Sequence, residues 1–309
     1  ISPTIADVLA DKGYTCIGLA PSAQTDEFFG FGSGFDQYEN YKDPGNRGSR
    51  RREILGRITL LRKLYHRIVP PHAKQDDLPD DDELVDEAIE RFNNVDSPRF
   101  LWVHLMQSHR PYGKGVDAVP KSIDRKALFS PNRLTDEENN QILDRYRAAL
   151  SRVDTEVERL YEELDGDPQF VFTSDHGDEF GEEGHYFHQP QRRRVADKLT
   201  EVPLATKNMH IPKSELSLID LAPTLISGLG IEPPSVWDGV SLDRKSADYA
   251  ITIAPWGEKA SIKYRTPEFS LIGADADVSV EIDGTRAIAD DEELPDEIER
   301  QLQDLGYVG

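Results

Sequence analysis

The sequence predicts an α/β fold over residues 1–245, followed by a small antiparallel subdomain over residues 246–309. Three patterns point there. The short apolar runs FLWVH (100–104) and FVFTS (170–174) read as strands that stop at polar loops. Between them, residues 135–164 repeat apolar side chains at helical spacing. From about residue 246 the period changes to two, in DYAITIAP, ASIKYRTPEFSLIGA and VSVEID, ahead of a last helix in DEIERQLQDLGY.

In chain order, Ser2-Pro3 opens a helix, where proline's fixed φ suits the first turn. Gly13 closes it, and Tyr14 to Ala20 form a strand. Cys16 alternates within that apolar strand and reads as a small buried thiol. It is the sole cysteine, so an intramolecular disulfide is excluded. The Gly- and Phe-rich loop EFFGFGSGFDQY (27–38) reads as a structural turn. Residues 47–69 hold a basic helix with Ile54, Leu55, Ile58, Leu61, Tyr65 and Ile68 on one face and a solvated arginine face opposite. KQDDLPDDDELVDE (74–87) is an acidic linker that opens a helix.

Thr135 and Glu138 form a capping box for the helix over 135–164. Tyr146, Ala149, Val153, Val157, Leu160 and Leu164 make its apolar stripe, and Asp154 is expected to be buried and paired. The strand Phe170–Ser174 then stops at Asp175-His176-Gly177. Open α/β sheets bind ligands just past the carboxyl ends of their strands. A carboxylate beside an imidazole at that place is half of a metal site, and Gly177 permits a tight turn. The arginines of QPQRRRVADKL (189–199) are expected at an exposed helix start.

FVFTSDHGDEFGEEGH (170–185) resembles the sulfatase family, within the alkaline phosphatase superfamily, where a strand ends in S-D-H-G or S-D-N-G before a G-E-x-G loop. By this resemblance Asp175 and His176 match two metal ligands, and His188 stands where relatives carry a Lys or His that contacts the sulfate or phosphate. FLWVHLMQSHRPY (100–112) is similar to a segment ending in H-x-P-Y, which gives His109 a contact with the substrate anion. His104 reads as a packed histidine, and Glu182 and Glu183 as loop-ordering or solvated charges. EVPLAT (201–206), SLIDLAPTLISGLGI (217–231), WDGVSL (237–242) and the final LGYVG resemble scaffold signatures of the family. The resemblance covers nearly the whole chain in the family's order. It implies an alkaline phosphatase-like mixed central sheet flanked by helices.

It also implies paired aspartates and a nucleophile motif such as C-x-P-S-R, processed to formylglycine, ahead of these elements. Neither occurs in these 309 residues, and Cys16 lacks the flanking pattern, so the nucleophile is expected outside this sequence. The implied activity is metal-dependent hydrolysis of a small-molecule or glycan sulfate ester. Ca²⁺ is the family's usual metal, while the imidazole of His176 suits Mn²⁺ or Zn²⁺ better. Two alternatives stay open: a phosphodiesterase, phosphonate hydrolase or phosphoglycerol transferase of the same superfamily, and a non-catalytic member that binds metal or glycan.

Formal net charge is -22, from 58 acidic and 36 basic residues, and only 13 of the latter are lysine. Acidity spread along the chain is the surface chemistry of proteins that stay soluble at very high salt, and predicts a halophilic, archaeal source. The same charge argues against nucleic-acid binding. No window of about 18 apolar residues is present, so no transmembrane segment is predicted. Oligomeric state is not legible.

Overall fold

The computed structural model describes residues 3–22, 25–41, 78–189, 192–211, 216–243, 249–256, 259–266, 269–274, 277–282 and 285–288. The basic helix expected over 47–69 and the last helix lie outside the described residues. The chain divides into two compact units, Ile1–Pro168 and Gln169–Gly309.

The first unit is built on a parallel sheet of three strands, β1 (Thr15–Leu19), β2 (Gln37–Glu39) and β3 (Arg99–Val103), in the order β2-β1-β3. β1 is buried beyond its first residue, consistent with the near-continuous apolar run of a parallel strand covered on both faces. Helix α1 (Ile5–Ala10) packs Ala6, Val8 and Leu9 into this core. Its cap is Thr4, whose hydroxyl accepts the Asp7 N–H while the Asp7 carboxylate accepts the Thr4 N–H. Such caps contribute about 1 kcal/mol each. Cys16 is fully buried, as expected of a small thiol in this strand, together with its neighbours Ile17 and Leu19. The loop after β1 is structural: the Asp36 carboxylate accepts the Cys16 N–H at 2.8 Å, and the Phe35 ring lies against Tyr38, Phe100 and Trp102.

Helix α2 (Asp81–Asn93) buries Leu84, Val85, Ala88 and Phe92. After α3 (Lys121–Phe129), the long α4 (Asp136–Glu163) starts at the predicted Thr135–Glu138 box. Ala149, Val153, Leu160 and Leu164 are buried, and Tyr146 meets the Tyr112 ring edge-on at 5.1 Å. Asp154 corrects the expectation: it is exposed. It follows the buried Val153 directly, and one residue is about 100° around a helix.

In the second unit, β4 (Phe170–Thr173) pairs antiparallel with β5 (Leu204–Lys207), and the two are joined by the loop that carries the candidate site. The short α5 (Asp197–Thr200) precedes β5. Helix α6 (Leu218–Gly228) and the turn after it interlock, which explains the residue choices there. Asp220 caps its own helix and accepts the Val240 N–H at 2.8 Å, and the Thr224 hydroxyl accepts the Leu242 N–H. A side chain on Gly239 would stand 2.0 Å from the Ile219 carbonyl, so only glycine fits that crossing. The last described residues form an antiparallel meander, β6 (Ala250–Trp256), β7 (Lys259–Arg265), β8 (Phe269–Ala274), β9 (Asp277–Ile282) and β10 (Thr285–Ile288). The buried Lys263 of β7 ion-pairs with Asp197 of α5, and Arg265 with Glu201. Among the described residues, no helix is long and apolar enough to cross a membrane.

Candidate functional site

β4 is half-buried throughout and ends one residue before Ser174. The Ser174 hydroxyl donates to the His176 carbonyl at 2.7 Å, which turns the chain at the strand end. Asp175 is well exposed; its carboxylate accepts the His176 N–H at 2.9 Å and stands 3.7 Å from His176 Nε2. Gly177 passes under α5: its N–H donates to the Leu199 carbonyl at 3.0 Å, and a Cβ there would lie 2.0 Å from the Lys198 carbonyl. His176 Nδ1 is 3.0 Å from the Gly177 carbonyl. A carbonyl only accepts, so the proton sits on Nδ1 and Nε2 is the acceptor nitrogen.

The following loop is a hairpin. Phe180 and Tyr186 form an antiparallel bridge, Phe187 N–H donates to the Glu179 carbonyl at 2.7 Å, and Gly181 N–H to the His185 carbonyl at 2.7 Å. One pair beyond Glu179 and Phe187 in that register, Asp178 stands opposite His188, whose Nδ1 lies 2.7 Å from Asp178 Oδ1. The His188 and His176 rings are 4.0 Å apart between centroids, at 43°. One nitrogen or oxygen each of His176, Asp178 and His188 lie within 4.8 Å of one another.

Beneath the hairpin, Glu179 is 1% exposed and Arg194 clasps it with three contacts of 2.7–3.0 Å. Arg194 also donates to Glu183 at 2.9 Å, and Glu182 accepts the Phe180 N–H. Glu182 and Glu183 thus order the loop, as their sequence reading has it. Arg194, expected to be exposed at a helix start, is a hairpin clasp instead, and α5 begins only at Asp197. Burial lowers the His185 pKa, and the Arg194 charge adds to the effect.

His109 belongs to the first unit, in the loop after β3. Its Nδ1 is 2.7 Å from the Arg110 carbonyl, which again puts the proton on Nδ1. The loop is held from below by Asp81 at the start of α2, 1% exposed, whose carboxylate accepts the Met106 and Gln107 N–H groups at 2.9 and 3.1 Å. Burial raises the Asp81 pKa, against those two hydrogen bonds. Arg110 extends toward the buried Asp124, 3.4 Å away. His104, just past β3, is half-buried and tilted against Trp102 at 6.3 Å.

The structure therefore brings Asp175, His176 and His188 together on one loop. Two participants escape the sequence reading, Asp178 and the Glu179–Arg194 clasp. The signal for Asp178 was the GEEG turn, from which a hairpin register can be counted back.

Residues 2–231 match the sulfatase family. The chain belongs to that family. The low-salt glycan biosynthesis sulfotransferase Agl7 of Haloferax volcanii is 30% identical over 165 residues, spanning 52% of this chain and 40% of that protein. The chain thus covers less than half of this relative's length. The fold is similar to a phosphonate monoester hydrolase of Agrobacterium radiobacter, with TM-score 0.60, 16% identity and coverage of 90% of this chain and 73% of the other. It is similar also to the lipoteichoic acid synthase LtaP of Listeria monocytogenes, with TM-score 0.56, 18% identity and coverage of 97% and 69%. A protein of the alkaline phosphatase superfamily from Vibrio parahaemolyticus gives TM-score 0.52 at 19% identity, over 99% and 69%. The α/β architecture, with its parallel sheet, flanking helices and antiparallel sheet, is that of the superfamily.

Proposed function

We propose that this chain forms part of a metal-dependent hydrolase of sulfate esters, in which Asp175 and His176 hold a divalent metal while His109 and His188 contact the ester. The observation that carries the reading is the strand-end Asp175-His176 with His188 folded back to 4.0 Å from the His176 ring. The donor set fits a divalent ion, since a carboxylate oxygen and an imidazole nitrogen already stand 3.7 Å apart there. Ca²⁺ is the metal proposed from family membership; His176 also admits Mn²⁺ or Zn²⁺. The ion, when bound, neutralises the anionic ester group and activates the nucleophile.

The side chains supply the rest. With Nδ1 turned to the Gly177 carbonyl, His176 presents Nε2 as its ligand atom. With Nδ1 engaged by Asp178, a proton on His188 Nε2 makes that ring a donor to an ester oxygen or to the leaving alcohol, and the Asp178 carboxylate balances the added charge. His109, whose Nδ1 faces the Arg110 carbonyl, takes the same part from its own loop. The nucleophile is proposed to lie outside these 309 residues. The substrate class is a small-molecule or glycan sulfate ester, and the glycan option is favoured by the name of the Haloferax relative.

A second reading, phosphonate or phosphodiester hydrolysis or transfer, is favoured by the likeness to the Agrobacterium and Listeria structures. The deciding test is turnover of aryl sulfates, phosphonate esters and phosphodiesters by the full encoded protein. Sulfate esters are expected to be preferred, with loss of more than about a hundredfold for Asp175→Ala or His176→Ala and about ten- to a hundredfold for His109→Ala or His188→Ala. Preference for a phosphorus ester would hand the site to the second reading.

A further inference from the structure

We infer that His176, Asp178 and His188 form a chelating site for a borderline divalent ion of the zinc class, with a ligand set different from the Asp175–His176 pair. Each residue offers one ligand atom, and the three lie within 4.8 Å of one another. Donors about 2.0–2.1 Å from a tetrahedral zinc stand about 3.4 Å apart, so modest side-chain rotation closes the set. Two imidazoles and one carboxylate are the donors that borderline ions select. Ca²⁺ instead takes six to eight oxygens, which this trio cannot supply.

The trio is also built, not incidental. Asp178 and His188 are cross-strand neighbours in the hairpin, and the Glu179–Arg194 clasp next to Asp178 fixes that register. The Asp178 side chain is only 6% exposed, so an ion there meets a carboxylate already largely stripped of water. His176 is oriented by the Gly177 carbonyl through Nδ1, an outer contact of the kind that aims metal-binding imidazoles.

Such an ion would take His176 from the working pair and His188 from the ester. The trio is therefore a blocking site, through which zinc-class ions shut down an enzyme that runs on a harder metal. This consequence rests on the proposed function; the site itself rests on the donor geometry alone.

The experiment is calorimetric titration of the metal-free 309-residue chain with Zn²⁺ in the presence of millimolar Ca²⁺. One Zn²⁺ per chain is expected, undisturbed by Ca²⁺. Affinity should fall at least about tenfold in Asp178→Asn and further in His188→Lys, which keeps a positive charge for an anion but loses the ligand atom. His185→Gln, outside the trio, should bind as the parent does. Circular dichroism confirms that each variant is folded. X-ray absorption of the zinc-loaded parent should count two imidazoles, a readout that needs no variant. Absence of zinc binding, undiminished binding in His188→Lys, or a single imidazole at the metal would overturn the site. A failure of the hydrolase reading shows differently, as absent ester turnover by the full protein with zinc binding intact.

Discussion

Asp178 and His188 face each other across a hairpin, with a carboxylate oxygen 2.7 Å from Nδ1 of the imidazole. The hydrogen bond fixes which ring nitrogen is left to meet substrate or metal. The hairpin that creates it is short and depends on two other features, a glycine under a helix and a buried ion pair, which both can be tested.

Gly177→Ala should destabilise the second unit by about 1–3 kcal/mol, the usual cost of forcing atoms into a packed site. Its Cβ would stand 2.0 Å from the Lys198 backbone carbonyl, which cannot swing aside as a side-chain tip could. Urea unfolding followed by circular dichroism measures the shift. An unchanged midpoint would mean that α5 sits further from the strand end than described.

Arg194→Ala should cost about 3 kcal/mol, because it leaves the Glu179 carboxylate buried without its clasp. The double variant Glu179→Gln with Arg194→Met should recover much of that loss, since it removes the stranded charge together with its partner. The same urea experiment reads both. Additive losses in the double variant would show that the two side chains stabilise the hairpin independently.

The Cys16 thiol is pushed up to about 11, chiefly by burial, with the Asp36 and Asp7 charges adding. The group is protonated in the folded chain at pH values where the unfolded chain ionises it. Its contribution to stability is complete below the ordinary thiol value of 9.0 and is lost as pH rises through about 11. Cys16→Ala should flatten the stability profile in that window by about 3 kcal/mol relative to the parent. At pH 8 a disulfide reagent should label the thiol only after urea unfolding, and prompt labelling of the folded chain would contradict its burial.

Net charge of -22 should make folding depend on salt. Carboxylate repulsion is unscreened in dilute buffer and screened within a few ångström at molar ionic strength. Thermal midpoints should climb steeply from low to molar KCl. Equal stability in dilute buffer would remove the halophilic reading of the composition.

Much of this molecule is decided locally, and the sequence shows it. The Thr135–Glu138 cap, the buried apolar run around Cys16 in β1 and the period-two meander from Ala250 each rest on neighbours a few residues apart. The strand end at Asp175-His176-Gly177 is legible for the same reason, and family order assigns it a role. What the sequence could not show depends on partners brought together by turns. Asp154 differs from its buried neighbour Val153 only by its angle on α4. The Asp81 carboxylate reaches forward 25 residues to hold the loop of His109, and Arg194 reaches back 15 to Glu179. Asp178 meets His188 because the hairpin closes in one register, and a slip of one residue would turn its side chain to the other face. Periodicity in a sequence encodes which face is buried; it does not encode which distant polar group that face will meet, and this meeting is what makes three scattered side chains a site.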